Sequence, residues 1–258
     1  MYEIISGGFK VKTMVIDIQR SKERGSADHG WLHTRYSFSF SDYYNPQRIG
    51  FGALRVLNED WIEPGKGFGK HPHDNMEIVT IILQGSLEHK DSMGNTGFIK
   101  TGEVQRMSAG IGVFHSEVNP SKTEKVHLLQ IWIESKERDI QPSYEQKSFG
   151  GSKLRNQLVE LVSGIEEKQD KKESNKYKAL YIHQNALFLY GLLDTGKVIN
   201  HTLSSAENGV YLFLIKGKVK VAEHTLKQGD ALGISEVKNI SIEAIENTEI
   251  LIIEIPMK

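Results

Sequence analysis

The sequence predicts an all-β protein built from two β-barrel domains of the jelly-roll type. Short apolar runs rich in β-branched residues recur along the chain and are separated by glycine and Asx turns, a pattern typical of sandwiches and barrels. A highly charged stretch at residues 166–176 divides these runs into two groups. We therefore expect an N-terminal barrel over residues 1–145, a linker over 146–176 and a C-terminal barrel over 177–258.

The first group of runs accounts for the N-terminal barrel. Residues 36–41 (YSFSFS) alternate aromatic residues with serine, as a half-buried strand does. Residues 78–83 (IVTIIL) form a β-branched run that ends at Gln84-Gly85, where glycine suits a tight turn. Further strands are predicted at residues 98–100, 104–107, 113–115 and 128–133.

The linker contains one ambiguous segment before its charged stretch. Leu154, Leu158, Leu161 and Val162 fit helical spacing, but the run LVELV could equally be a strand. Residues 166–176 hold eight charges in eleven residues and no apolar residue, so we predict a solvated loop. Strand-like runs resume at residues 179–182, 186–193, 210–215, 218–222 and 250–255.

Composition excludes several functional classes. The 32 Lys and Arg residues balance 33 Asp and Glu residues, so no overall field favours nucleic acid or an anionic membrane. Cysteine is absent, which excludes disulfides, zinc–thiolate sites and thiol catalysis and agrees with a cytoplasmic location. No apolar segment reaches the length of a signal peptide core or a membrane span. We expect a cytoplasmic, monomeric protein with no membrane span and no direct nucleic-acid partner.

Two residue pairs indicate a metal site. His71-Pro72-His73 and His115-Ser116-Glu117 each place two potential ligands at positions x and x+2. Residues two apart on a β-strand point to the same face, so two neighbouring strands can direct three imidazoles and one carboxylate at one point. Such a donor set suits a first-row transition metal with open positions for water or substrate.

Glycines frame both pairs in the pattern of the cupin motifs. Five residues separate Gly65 from His71, the first residue of the first pair. Glu77 and Gly85 complete that motif, and Gly85 comes one residue later than usual. The second motif is supplied by Gly102, Ser108, Gly110, His115 and Asn119. It departs from the usual pattern at Ser108, which replaces a proline, and by two extra residues before His115.

The N-terminal half resembles the pirin family of the cupin superfamily. Matching stretches begin at His29 (HGWLHTRYSFSFSDYYNP), Phe51 (FGALRVLNEDWIEPGKGFGKHPHDNMEIVTIILQGSLEHKDSMGNTG), Gly102 (GEVQRMSAGIGVFHSEVNPS) and His127 (HLLQIWIESKERDIQPSYEQ). The C-terminal half resembles the compact bacterial pirin-like proteins described as quercetin 2,3-dioxygenases. Tyr36 stands where such proteins often carry histidine, a departure that bears on substrate fit.

The resemblance implies a bicupin with one iron-type site, whose ligands fall on His71, His73, His115 and Glu117. It implies a metal-dependent dioxygenase that cleaves flavonol-type, quercetin-like aromatic substrates with O₂ and releases carbon monoxide. Fe(II) is the expected metal, with Mn, Ni and Co as alternatives, and no organic cofactor is expected. Glu117, beside the metal, is predicted to act as the general base. The alternative function is a non-enzymatic, redox-responsive regulator that needs the metal and binds a protein partner.

Glu77 is the competing carboxylate. It lies four residues beyond His73, and four residues of regular strand span about 13 Å, which would carry it out of reach of the same metal. We therefore predict a supporting role for Glu77 and a packing role for His127. Because imidazoles bind metal only when unprotonated, we expect metal affinity to fall below about pH 6.

The remaining polar and aromatic candidates have more ordinary interpretations. Glu88, Lys90 and Asp91 are predicted to form a solvated strand end. Phe68, Phe114 and Trp132 are candidate walls of an aromatic pocket, although single aromatic residues are more often ordinary core. The second half contains no His-x-His or His-x-Glu pair, so its histidines (His183, His201 and His224) are predicted to bind no metal.

Overall fold

The computed structural model describes residues 14–149, 154–165 and 179–257. Within these ranges the chain is almost entirely β-structure, with a short 3₁₀ helix at Ser21–Glu23. This confirms the predicted all-β class. No helix in the described part of the chain is long and apolar enough to cross a membrane.

The first twelve strands are β1 (Val15–Gln19), β2 (Gly25–Asp28), β3 (Leu32–Tyr36), β4 (Leu54–Ile62), β5 (Gly67–His73), β6 (Met76–Gln84), β7 (Ser86–Asp91), β8 (Thr96–Lys100), β9 (Glu103–Ser108), β10 (Val113–Val118), β11 (Val126–Glu134) and β12 (Ser143–Ser148). The remaining strands are β13 (Val159–Ser163), β14 (Leu180–Tyr181), β15 (Leu187–Leu193), β16 (Val198–Thr202), β17 (Asn208–Lys216), β18 (Lys218–Val221), β19 (His224–Lys227), β20 (Ala231–Ser235), β21 (Asn239–Ala244) and β22 (Thr248–Pro256).

The first barrel consists of a seven-stranded sheet that faces a four-stranded sheet. The larger sheet has the order β12-β9-β6-β11-β4-β3-β2, and the smaller has the order β5-β10-β7-β8. Ile82 and Leu128 of the larger sheet pack in one cluster with Leu87 and Ile99 of the smaller sheet, all of them buried. Burial of these side chains between the sheets holds the two faces together.

The second barrel repeats this plan. A seven-stranded sheet, β1-β20-β17-β22-β15-β13-β14, faces a four-stranded sheet, β16-β21-β18-β19. Apolar side chains fill the centre of this barrel, where Leu212 and Ile252 of the larger sheet pack with Val219 and Ile242 of the smaller sheet. The predicted two-barrel architecture is therefore confirmed.

The outer faces of the two seven-stranded sheets form a shared core. Leu129 and Ile131 of the first barrel belong to the same buried cluster as Phe213 and Leu251 of the second. The extensive apolar contact explains why each larger sheet is buried on both faces. Removing one barrel would therefore expose apolar surface on the other.

Aromatic residues from the segment after β3 are inserted into this shared core. The ring centroid of Phe38 lies 5.3 Å from that of Tyr211. Phe51 packs so closely on the second barrel that a Cβ atom built on Gly233 would lie 2.6 Å from its ring. A larger residue at position 233 would therefore force the Phe51 ring to move.

Barrel membership differs from the predicted boundaries. β1 pairs antiparallel with β20 and so belongs to the second barrel, although it lies within residues 1–145. β12 crosses residue 145 and pairs with β9 in the first barrel, and β13 lies within the predicted linker but pairs with β15 in the second. The pairing partners of an edge strand are remote in sequence, so local patterning does not reveal them.

Two local predictions have clear outcomes. The run LVELV is a strand, β13, rather than a helix. The predicted strand at residues 36–41 was wrong, because β3 ends at Tyr36 and the chain then turns. Ser39 fixes this turn, since its Oγ accepts a hydrogen bond from the Asn45 amide at 2.8 Å.

The predicted glycine turns are present, with a φ of 81° at both Gly85 and Gly102. This left-handed backbone region favours glycine. The predicted solvated loop at residues 166–176 lies outside the described residues.

Candidate metal centre

Strand β10 lies between β5 and β7 in the smaller sheet and carries the centre of the candidate site. Its register pairs His115 with His71 on β5, and Glu117 with His89 on β7. β5 holds one extra residue between Phe68 and His71 relative to β10, which is a β-bulge. The ladder therefore brings side chains from three strands to one place inside the first barrel.

The three predicted imidazoles come together. Ring centroids lie 4.8 Å apart for His71 and His73, 4.4 Å for His71 and His115, and 4.8 Å for His73 and His115. One ligand atom from each ring lies within 4.8 Å of the others. Two donors that each lie about 2.1 Å from a single ion are at most about 4.2 Å apart, so a small inward adjustment of the side chains would suffice. The cluster can therefore converge on one divalent ion.

Ring nitrogens of His71 and His115 are available to bind such an ion. His71 Nδ1 lies 2.8 Å from the carbonyl oxygen of Gly69, to which it can donate a hydrogen bond, so Nε2 is left with its lone pair. Both ring nitrogens of His115 are buried and have no hydrogen-bond partner. Buried polar atoms are normally satisfied, so two orphaned nitrogens in a cluster of imidazoles fit a metal ligand.

Burial keeps two of these rings neutral. It lowers the pKa of His73 to about 4, with the neighbouring His71 acting in the same direction. Burial also lowers the pKa of His115 to about 2, followed by the effects of His71, His73 and His89. Neutral imidazole is the metal-binding form, and both rings therefore hold it at any physiological pH.

Glu117 is buried and is held by the opposite sheet. The Gln130 amide donates a hydrogen bond to Glu117 Oε2 at 2.6 Å, and Thr80 Oγ1 lies 3.5 Å from Oε1. Burial, and to a smaller extent the nearby Asp60, raise the pKa of Glu117 to about 8, although the contacts with Thr80 and Gln130 act in the opposite direction. In the metal-free protein the carboxyl group of Glu117 is therefore mostly protonated at neutral pH.

A row of polar side chains crosses the inner face of the larger sheet opposite the imidazoles. The strand register aligns Tyr36, Asn58, Gln130, Thr80 and Gln105 on five adjacent strands, and all are buried. Asn58 Oδ1 and both amide atoms of Gln105 have no hydrogen-bond partner. These orphaned groups give the interior of the first barrel donors and acceptors that a polar ligand could satisfy.

Aromatic rings connect this row to the histidines. Trp132 lies edge-on to His73 at 4.7 Å, and Phe40 lies edge-on to Trp132 at 5.2 Å. Of the three predicted pocket walls, Phe68 lies 6.3 Å from His71, whereas Phe114 is 47% exposed. Trp132 and Phe68 therefore flank the histidines, and Phe114 does not.

Glu77 lies away from the imidazoles. Its buried carboxylate accepts a hydrogen bond from Ser108 Oγ at 2.7 Å. Burial raises its pKa, and the Ser108 hydrogen bond opposes this. Ser108 is the residue that replaces the motif proline, so this departure supplies a partner for a buried carboxylate. His127 is also remote, since its ring stacks on Trp61 at 4.5 Å.

Comparison with known proteins places the chain in a family. Residues 17–133 match the family model for pirin, and residues 172–255 match the model for the quercetinase C-terminal cupin domain. The quercetin 2,3-dioxygenase of Escherichia coli K12 is 41% identical over 243 residues, which cover 94% of this chain and 99% of that protein. The chain belongs to the pirin family.

Solved structures agree with this assignment. The bacterial pirin YhhW from Escherichia coli, in complex with nickel(II), superimposes with a TM-score of 0.86 at 39% identity, over 95% of this chain and 100% of that one. A quercetin 2,3-dioxygenase from Acinetobacter baumannii superimposes with a TM-score of 0.70 at 20% identity, over 94% of this chain and 80% of that one. At that identity the likeness shows the fold alone. The resemblance seen in the sequence is thus confirmed, including its bicupin fold.

One histidine beside the candidate site was missed by sequence reasoning. In the structure Glu117 groups with His115 and His89, all three buried, while His71 and His73 group with His115. The prediction that Asp91 belongs to a solvated strand end was wrong, because its side chain is fully buried beside His89. The signal was available, since His89-Lys90-Asp91 has the same x, x+2 spacing as the two recognised pairs.

The second barrel contains no comparable cluster among the described residues, because both groups of potential ligands lie in the first barrel. His201 pairs with the buried Glu254 at 2.8 Å. The same carboxylate accepts hydrogen bonds from Ser204 and Asn208. His201 therefore completes a structural network rather than standing alone.

Proposed function

We propose that this pirin is a metal-dependent dioxygenase acting on flavonol-type, quercetin-like aromatic substrates. The observation that carries the proposal is the convergence of His71, His73 and His115 opposite a buried polar row. Glu117 groups with His115 and accepts a hydrogen bond from Gln130 in that row. The name of the Escherichia coli relative supports the same reaction class. We propose His71, His73, His115 and Glu117 as metal ligands, and Fe(II) as the metal, with Mn, Ni or Co as alternatives.

A bound divalent metal would supply Lewis acidity and positions for the substrate oxygens and O₂. Trp132 and Phe68 flank the histidines and offer apolar surfaces to the rings of an aromatic substrate. The unpartnered amide atoms of Asn58 and Gln105 offer hydrogen bonds to hydroxyl groups on such a ring. A polyhydroxylated aromatic matches this combination of surfaces.

Glu117 is the residue best placed to move a proton. An aromatic enol hydroxyl becomes an electron-rich donor when it loses its proton, and Glu117 Oε1 is free of strong hydrogen bonds, because its contact with Thr80 is 3.5 Å long. Gln130 fixes the other oxygen at 2.6 Å and so orients the carboxylate. We therefore assign Glu117 as the general base.

The test compares Glu117→Gln with Glu77→Gln in metal-loaded protein, using oxygen consumption and carbon monoxide release with a panel of flavonols and catechols. The amide keeps the shape of the carboxylate but cannot accept the proton, so turnover should fall by roughly 10²–10⁴-fold. Glu77→Gln should have a much smaller effect. An active Glu117→Gln beside an inactive Glu77→Gln would show that the wrong carboxylate has been chosen.

The same experiment also tests the regulatory alternative. If the wild-type protein, loaded with Fe, Mn, Ni or Co in turn, consumes no oxygen with any member of the panel, the dioxygenase proposal is wrong. The metal-dependent regulator that binds a protein partner would then be the better explanation.

A further inference from the structure

The imidazole of His89 is buried beside the proposed metal centre without belonging to it. His89 lies on β7 directly opposite Glu117, and its side chain is fully buried. Its ring centroid is 5.3 Å from that of His115. Tyr144 stacks on the other face at 4.7 Å with an interplanar angle of 26°, which fixes the plane of the ring.

Asp91 fixes the tautomer of His89. His89 Nε2 lies 3.2 Å from Asp91 Oδ2, and an ionised carboxylate can only accept, so Nε2 carries the hydrogen. Asp91 is itself held by the backbone amides of Met93 and Asn95 and by the Asn95 side chain. The carboxylate is therefore part of the β7–β8 turn and keeps its position.

This tautomer leaves an unused lone pair on a buried nitrogen of His89. With the hydrogen on Nε2, His89 Nδ1 is an acceptor, and it is buried with no hydrogen-bond partner. Leaving such an atom unsatisfied costs about 1–3 kcal/mol. A carboxylate that orients one ring nitrogen while the other faces a cation is a recurrent arrangement at protein metal sites.

We propose that His89, His115 and Glu117 form a second, inner position for a divalent cation, behind the outer position formed by His71, His73 and His115. One ligand atom from each of the three inner residues lies within 4.8 Å of the others. Two neutral imidazoles and one carboxylate are the donor set that non-haem Fe(II) sites use. His115 belongs to both groups, and Glu117 is also a proposed ligand of the centre described above, so a single ion can move between the two positions while keeping these ligands.

This inference rests on the proposed metal centre, and the test separates the two. Co²⁺ alone is the probe, because its binding is followed by calorimetry and by visible absorption and its site is located by anomalous scattering. The His71→Ala/His73→Ala variant removes two of the outer ligands and leaves the inner set intact. It should still bind one Co²⁺ per chain, about 10–100-fold more weakly than the wild type, with the ion within bonding distance of His89.

Adding His89→Phe to this variant should weaken Co²⁺ binding by about a further 100-fold, since only His115 and Glu117 remain. His127→Gln in the same background is the matched control, because His127 lies outside both groups, and it should change nothing. Thermal unfolding of each variant checks the fold. The anomalous map of the His71→Ala/His73→Ala variant does not depend on the folding of the His89 variant.

The outcomes are distinct. If the wild type binds one Co²⁺ and the His71→Ala/His73→Ala variant binds none, the inner position is wrong and the proposed centre stands. If that variant binds Co²⁺ away from His89, or if His89→Phe leaves its affinity unchanged, the inner position is also wrong. If the wild type binds no divalent ion, both the centre and the inner position are wrong.

Discussion

The carboxyl group of Glu117 should control how metal affinity depends on pH. In the metal-free protein burial raises its pKa to about 8, so metal binding must displace a proton. At pH 7 only about one molecule in ten is ionised, which makes apparent affinity about tenfold weaker than at full ionisation, and at pH 6 about 100-fold weaker. Affinity should therefore rise by close to tenfold from pH 6 to 7 and by about fivefold from pH 7 to 8.

Glu117→Gln removes this titration. The amide has no proton to release, so the slope of affinity against pH should drop by about one proton per metal in the window from pH 6 to 8. His73 and His115 contribute no slope there, because their pKa values are lowered to about 4 and about 2. Burial thus changes the expectation drawn from sequence, which placed the loss of affinity below about pH 6 through protonation of the imidazoles.

The measurement is competition calorimetry against a chelator at pH 6, 7 and 8, with Co²⁺ as the metal. Glu77→Gln is the control, because Glu77 is also a buried carboxyl with a raised pKa but lies outside both ligand groups. It should keep the wild-type slope. Equal slopes for the wild type and Glu117→Gln would refute the reasoning, since the carboxyl group would then not be the one that releases the proton.

Three further predictions concern stability and the second barrel. Burial raises the pKa of Asp60 to about 7, above its value in the unfolded chain. The free energy of unfolding of the metal-free protein should therefore fall by up to about 1.4 kcal/mol per pH unit from pH 4 to 7. Asp60→Asn should flatten this fall in urea titrations, and an unchanged pH dependence would contradict the prediction. Phe38→Ala should lower the free energy of unfolding by about 3–5 kcal/mol, because it empties a buried position in the core shared by the barrels; a loss below about 1 kcal/mol, on the scale of a surface change, would show that the seam is not stabilising. Anomalous scattering from metal-loaded crystals should show no metal bound by residues beyond 176, and a metal centre there would overturn the prediction that the histidines of the second half bind no metal.

The sequence alone was sufficient for much of the site and the strands around it. Strand periodicity is local, so residues two apart point to one face wherever a strand forms, and this rule by itself places His71 and His73 on one face of their strand and His115 and Glu117 on one face of theirs. Glycines at turns that need a positive φ are local in the same sense. The separation of Glu77 from the imidazoles was predicted correctly but for a different reason, because a turn after His73 places Glu77 on β6 of the larger sheet rather than further along β5.

Only the tertiary structure decided which strands are neighbours and which side chains are buried. β1 joins the second barrel because the free edge of β20 is available to it, and no local pattern encodes that pairing. His89 and Asp91 carry the same spacing as the recognised pairs, yet their burial depends on β7 lying beside β10 and under Tyr144. The raised pKa of Glu117 likewise depends on its burial and on the nearby Asp60. Glu117 lies on β10 and Asp60 on β4, two strands that are far apart in the sequence.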